Sequence, residues 1–303
     1  MLQIYKSPLG FPNYIPFGMA LRALGQGLKV GVVGANDIFK EVCIFLERSF
    51  PGEFSYKNWG EKEVQYGSSQ ILFFIEPNSY DGAWEWVDGL LKEIKEKQFL
   101  EAVIIDYTIP KAIEESANLF TEIQVTSNKT AKIISKIITG TGKGKTTYAL
   151  GEALYYASLG YPSLVLQFIK SPKEYGEVKA IKRLANIEIR SMGKGFPPEE
   201  GSLKWDIHRK AVQEAWQYFL GLLNRPRYGL IVLDEINIAL KYGYLELHSM
   251  TDLLKNLSQD KKISLTGRYA NPELFPYVDQ IIHMKEIRHP YQMGIRARRG
   301  IEF

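Results

Sequence analysis

Cysteine is nearly absent: Cys43 is the only one among 303 residues. A single thiol excludes an intrachain disulfide and any zinc site built from several cysteines, and it suits a reducing cytoplasm. Histidine is scarce as well. His208, His248, His283 and His289 are scattered without a His-x-x-x-His pair, which argues against a structural metal. No apolar run approaches the roughly 18–20 residues of a membrane span. The first residues show no basic segment leading into an apolar stretch, so no secretory signal is expected. An excess of one charge is missing too. The 38 basic and 34 acidic side chains leave a net charge of +4, which gives nucleic-acid binding no support. What remains is an ordinary globular composition, in a chain long enough for one large domain or two moderate ones.

What is present is a regular alternation of strands and helices. In the second half, 133–139 reads as a strand. A helix follows at 145–158, with Ala149, Ala153 and Ala157 recurring every four residues beside Leu150 and Leu154. A strand at 163–168 and a helix at 206–223 come next, the helix carrying its apolar face on Val212, Ala215, Trp216 and Phe219. Residues 230–233 form a continuous apolar run, as a parallel strand buried on both faces does. Leu247, Met250, Leu254 and Leu257 mark a further helix, and 263–265 and 280–284 further strands. The first half repeats this order. Ile4-Tyr5 leads into a Pro/Gly loop, then Gly18-Met19-Ala20-Leu21, then the strand at 30–33, and later Ala102-Val103-Ile104-Ile105-Asp106, set here beside Leu230-Ile231-Val232-Leu233-Asp234. The pattern predicts an α/β chain with a mostly parallel sheet and helices on both faces, duplicated as units 1–128 and 129–303. The boundary is expected in the polar stretch Thr126-Ser127-Asn128-Lys129-Thr130.

Chemistry concentrates in the second unit. Gly140-Thr141-Gly142-Lys143-Gly144-Lys145-Thr146-Thr147 follows a strand and opens a helix. Glycines there let backbone N–H groups approach phosphate oxygens, and the helix terminus adds unpaired donors. This is a P-loop of RecA-like nucleotide-binding folds, shortened by one residue, with Thr139 where the first glycine is expected. It calls for ATP and Mg²⁺. Lys145 is expected to face solvent and reach the phosphates, and Thr146 to offer its hydroxyl to Mg²⁺. Asp234 and Glu235 end a buried strand about 90 residues later, where Asp234 is placed to hold Mg²⁺ and Glu235 to orient or polarise a water. Arg268, in Thr266-Gly267-Arg268, suits a phosphate by its planar fork of donors. The basic segment Gly294-Ile295-Arg296-Ala297-Arg298-Arg299-Gly300 fits an anion-binding tail or a solvated end equally well.

From about Lys132 to Phe303 the chain resembles the P-loop type ATP:cob(I)alamin (corrinoid) adenosyltransferases. The resemblance is carried by the shortened loop, Gln167-Phe168-Ile169-Lys170, Tyr175-Gly176-Glu177 and Met192-Gly193-Lys194-Gly195-Phe196. It continues through Leu233-Asp234-Glu235-Ile236-Asn237, Lys241-Tyr242-Gly243-Tyr244-Leu245, Thr266-Gly267-Arg268, Arg288-His289-Pro290 and the closing Gly300-Ile301-Glu302-Phe303. It implies transfer of the 5′-deoxyadenosyl group of ATP to a Co(I) corrinoid with release of triphosphate, in cobalamin biosynthesis or salvage. It further implies Phe196 facing the corrin, and a reductant protein as partner. One departure stands out. Where the family commonly has Thr-Trp after Gly-Phe, Pro197-Pro198-Glu199-Glu200 follow Phe196, so a shielding aromatic is missing unless Trp205 stands in.

The first unit lies outside that resemblance. Sliding Gly18 onto Gly151 brings Pro12 onto Lys145 and Asn13 onto Thr146, so the loop of the first unit lacks the phosphate-binding cation. It is expected to bind no ATP and to act as a built-in partner, a pseudo-dimer within the chain in place of a homodimer. Two other readings stand beside this one, the second favoured by the Pro197-Pro198 change. One is a RecA-like ATPase coupling hydrolysis to a conformational change; the other is a nucleotide- or corrinoid-binding protein without turnover.

Overall fold

Apolar runs such as Val30–Val33, Ile71–Ile75 and Leu230–Asp234 are buried along their whole length, as strands covered on both faces must be. The structure, a computed structural model, describes the chain except residues 35–36, 60–68, 78–81, 86, 88, 90–100, 129–132, 174, 199–201, 224–226, 297, 299 and 302–303. The first half carries β1 (Leu2–Lys6), α1 (Ile15–Leu24), β2 (Val30–Val33), α2 (Asp37–Ser49), β3 (Phe54–Lys57), β4 (Ile71–Ile75), β5 (Glu101–Asp106), α3 (Lys111–Ser116) and β6 (Leu119–Ser127). The second carries β7 (Ser135–Thr139), α4 (Lys145–Ser158), β8 (Ser163–Gln167), α5 (Gly176–Ile181), β9 (Ile187–Ser191), α6 (Leu203–Leu223), β10 (Leu230–Asp234), α7 (Ile236–Lys241), α8 (Leu247–Lys255), β11 (Lys262–Thr266) and β12 (Gln280–Arg288). Among the described residues no helix is long and apolar enough to cross a membrane.

The described strands join in one twelve-stranded sheet, ordered β3-β2-β4-β5-β1-β6-β12-β7-β11-β10-β8-β9. Every neighbouring pair is parallel except the central β6–β12 pair, which is antiparallel with Ile123 opposite Met284. Outward from that centre, each half places its strands in the same order: sixth, first, fifth, fourth, second, third. This order corrects one correspondence drawn from sequence. β5 with Asp106 lies next to β1, as β11 lies next to β7, so the strand standing at the position of β10 is β4. Glu76 follows β4 and Glu235 follows β10, both in the left-handed region, at φ 50° and 61°. Two apolar strands ending in an acid look alike in composition, and only pairing tells them apart. The expected boundary falls at the end of β6, with Lys129 and Thr130 outside the described residues. The sheet runs on across it, because β6 is hydrogen-bonded to β12.

Alternate strand residues feed opposite faces. Val165 and Val232 point to one apolar core, and Leu164, Leu166, Ile231 and Leu233 to another under α6. The first core is shared by both halves, running from Phe17, Phe39 and Val103 to Tyr148, Leu154 and Val165. Its centre is the crossing of α1 over α4, which is close enough that only glycine fits. A Cβ on Gly18 would lie 1.8 Å from the carbonyl oxygen of Thr147, and one on Gly151 would lie 1.9 Å from that of Tyr14. Gly18→Ala and Gly151→Ala are each expected to cost about 1–3 kcal/mol or more, because backbone cannot yield as a side chain does. Gly221→Ala in α6, where an added Cβ meets nothing, is expected to stabilise by roughly 0.5–1 kcal/mol. Equal thermal melts for the three variants would contradict the crossing.

Candidate functional site

β7 ends at Thr139 and α4 opens at Lys145, as the sequence predicts. Gly140 and Gly144 take φ of 105° and 115°, a region that only glycine occupies without strain. Lys145 departs from expectation. It is 8% exposed, and its Nζ donates to the carbonyl oxygens of Gly140 (2.9 Å) and Gly142 (2.7 Å). The loop's own carbonyls thus satisfy the ammonium. Burial, and after it the Arg268 guanidinium, pull its pKa down to about 8.

Asp234 is fully buried and ties three elements together. Its Oδ1 accepts from the hydroxyls of Thr146 and Thr266, each at 2.7 Å, and its Oδ2 accepts from Gln167 Nε2 at 2.9 Å. Thr146 and Asp234 are therefore in contact, as expected of two groups serving one ion. Gln167 and Thr266 stand in motifs quoted from the sequence, but their contact with Asp234 was not expected. Glu235 follows in a left-handed conformation, its N–H donating to Thr266 Oγ1 at 3.0 Å. Burial, with Asp234 beside it, pushes its carboxyl up to about 7. Among the described residues no three His, Cys, Asp or Glu side chains cluster as a metal cage. The donor set of one hydroxyl and one carboxylate fits Mg²⁺ shared with phosphate oxygens, the way this ion is commonly held.

Arg268 lies over the loop, its Nη2 donating to the Thr141 carbonyl at 3.2 Å. Gly142, Lys143, Gly144, Lys145, Thr146 and Thr147 border a cavity of about 900 Å³, together with Glu235, Arg268 and Phe196. Gly140, Thr141 and Asp234 do not border it. Phe196 is 95% exposed at its edge. Lys170, Tyr175, Lys194 and Tyr242 also border the cavity. Trp205 does not enter it. Its ring packs 4.7 Å from that of Tyr244 and 5.9 Å from that of Tyr242, supporting Tyr242 from behind. Glu199 and Glu200 lie outside the described residues.

The first half, expected to hold no chemistry, also reaches this cavity through Gln3, Tyr5, Met19 and Arg22. Sequence carried one signal for this: Arg22 is the lone charged residue of α1. Within the basic tail, Arg298 is held in an ion pair. Arg298 Nη1 pairs at 2.8 Å with Glu101, which also accepts from Gln3 Nε2 at 2.6 Å. Ala297, Arg299, Glu302 and Phe303 lie outside the described residues.

Two substitutions test this geometry. Lys145→Ala is expected to weaken ATP binding by about tenfold or more while moving the melting temperature by only a few degrees, since a desolvated cation and its two bonds offset each other. Undiminished ATP affinity would contradict the assignment. Asp234→Asn is expected to raise the Mg²⁺ concentration required for ATP binding, and to cost about 1–3 kcal/mol of stability because an amide nitrogen cannot accept from a hydroxyl. An unchanged Mg²⁺ dependence would make Asp234 purely structural.

Comparison with known proteins identifies relatives of the second half. Residues 131–303 match the family described as ATP:corrinoid adenosyltransferase BtuR/CobO/CobP. The chain is 35% identical over 165 residues to the corrinoid adenosyltransferase of Pseudomonas aeruginosa, covering 54% of this chain and 80% of that one. It is 34% identical over 168 residues to the corrinoid adenosyltransferase of Sinorhizobium sp, covering 54% and 78%. With the corrinoid adenosyltransferase of Escherichia coli K12 it shares 27% identity over 172 residues, 55% and 84% of the two chains. The family match covers more than half of the chain, and the chain belongs to the ATP:corrinoid adenosyltransferase family.

Proposed function

We propose that the chain transfers the 5′-deoxyadenosyl group of ATP to a Co(I) corrinoid, in cobalamin metabolism. The observation that carries this is the single cavity bordered by the phosphate loop on one side and by Phe196 on the other. The triphosphate lies against the loop amides and the N-terminus of α4, where donors and partial charge favour an anion. Lys145 exchanges its two loop carbonyls for phosphate oxygens. The cobalt electron pair forms the bond to C5′, the C5′–O bond breaks, and its electron pair departs with triphosphate. Lys145 and Arg268 stabilise the charge that grows on that leaving group, and Glu235 beside them balances the cations. Thr146 and Asp234 would hold Mg²⁺, which neutralises phosphate charge when bound. Phe196 offers an apolar surface to the macrocycle.

The first half supports this role without a phosphate site of its own. We read it as a second copy of the fold, degenerate at the loop, occupying the place of a partner subunit. The shared strand order and the matched Gly18 and Gly151 support this. In β4 the place of Asp234 falls to Ile75, so the magnesium carboxylate is missing there as well. A free, buried Cys43 fits a reducing compartment, and a reductant protein supplying Co(I) completes the scheme.

Incubating the protein anaerobically with ATP, Mg²⁺ and a chemically reduced corrinoid tests the reaction. One triphosphate is expected for each cobalt–carbon bond formed. Release of ADP and phosphate without alkylation would favour the ATPase reading, and binding without products would favour a non-catalytic module. Either outcome contradicts the proposal.

A further inference from the structure

The second half supplies a complete phosphate loop, yet one of the side chains fixed against it comes from the other half. Arg22 sits on α1, is 7% exposed, and borders the same cavity as Lys145 and Lys170. Its Nη1 donates to Thr147 Oγ1 at 2.8 Å, in the first turn of α4. Its Nε lies 3.5 Å from Glu177 Oε2, and the other oxygen of that carboxylate pairs with Lys170 Nζ at 3.0 Å.

Glu177 is 1% exposed, so its charge persists only with compensation. Burial works against ionisation, but Arg22 and then Lys170 outweigh it and hold the carboxyl below the ordinary carboxylate range. The backbone leaves Arg22 little choice of position. A Cβ on Gly176 would lie 2.2 Å from the Arg22 carbonyl oxygen, and one on Gly25 would lie 1.8 Å from that of Gly176. α1 and α5 therefore touch main chain to main chain, and the guanidinium is delivered to Glu177 by the packing itself.

The charges of this trio decide its effect on an anion in the cavity. Arg22 and Lys170 around one carboxylate leave a net positive charge on the cavity wall. Without Arg22, Glu177 neutralises Lys170, and this pair adds no positive charge to the wall. We propose that Arg22 is a positioning residue, contributed by the first half, that releases the charge of Lys170 for the nucleotide phosphates by compensating Glu177, and that anchors the first turn of α4 through Thr147. This rests on the ATP site proposed above and assigns the first half a specific part in it.

ATP titration of the full-length chain, with Arg22→Met, Arg22→Lys, Glu177→Gln and the double variant Arg22→Met/Glu177→Gln, tests the inference. Arg22→Met is expected to weaken Mg·ATP binding by about tenfold and to raise the KM for ATP while kcat changes less. Arg22→Lys should recover most of that loss. The double variant should bind ATP more tightly than Arg22→Met alone, because removing the buried carboxylate frees Lys170 again. A purely structural role would make the double variant no better than the single one. Wild-type ATP affinity in Arg22→Met, or no recovery in a folded double variant, overturns the inference. If Arg22→Met does not fold, Arg22→Lys and Glu177→Gln decide instead: near-normal and undiminished affinity are expected, and a loss in Glu177→Gln as large as tenfold contradicts the scheme. Absence of adenosyl transfer by the unaltered chain would refute the proposed reaction, while the ATP affinities would still decide the role of Arg22.

Discussion

The antiparallel pairing of β6 with β12 is the constraint on which the rest of the molecule turns. Within each half every described strand pair is parallel, so each half has one edge where strands end and loops carry chemistry. Reversing direction at the centre sets the strand ends of one half beside the strand beginnings of the other. Gln3 and Tyr5, at the start of the chain, thereby border the same cavity as Lys145, Glu235 and Arg268. The same reversal lays α1 across α4 at Gly18 and Gly151, and so carries Arg22 to Thr147. One apolar core is continuous from Phe39 to Val165.

Within the second half, a small polar network does what hydrophobic burial cannot. Asp234 has no exposure, and a buried carboxylate without partners would be costly. Thr146, Thr266 and Gln167 supply donors from three different elements and fix the loop, β8 and β11 relative to one another. Glu235, one residue on, is raised to about 7 by its burial and then by the charge of Asp234 beside it. Lys145 is satisfied in a complementary way, donating to the carbonyl oxygens of Gly140 and Gly142.

Much of this was legible in sequence because it is periodic or carried by turn chemistry. Val30–Val33, Ile71–Ile75, Ser163–Gln167 and Leu230–Asp234 announce buried parallel strands by unbroken apolar runs. The glycines of the loop and the helix at Lys145–Ser158 announce the phosphate site. What stayed hidden depends on pairing across long stretches of chain. Nothing local says that β5 stands beside β1 and β4 beyond it, so Asp106 was set against Asp234 when Ile75 holds that position in the sheet. β9 at Ile187–Ser191 escaped notice because only its first residue is fully buried. The burial of Lys145 was missed because a loop lysine reads as solvated until its carbonyl partners are placed. The part of Arg22 was invisible for the same reason: its partner Thr147 lies 125 residues away.

The central claim is that both halves build one nucleotide cavity. Amide hydrogen exchange of the full-length protein, followed with and without Mg·ATP, tests it most directly. The account predicts slowed exchange in the loop and first turn of α4 together with slowed exchange at Gln3–Tyr5 and around Arg22, in the half that carries no phosphate loop. Protection confined to residues after 133, with the first half unchanged, would contradict it.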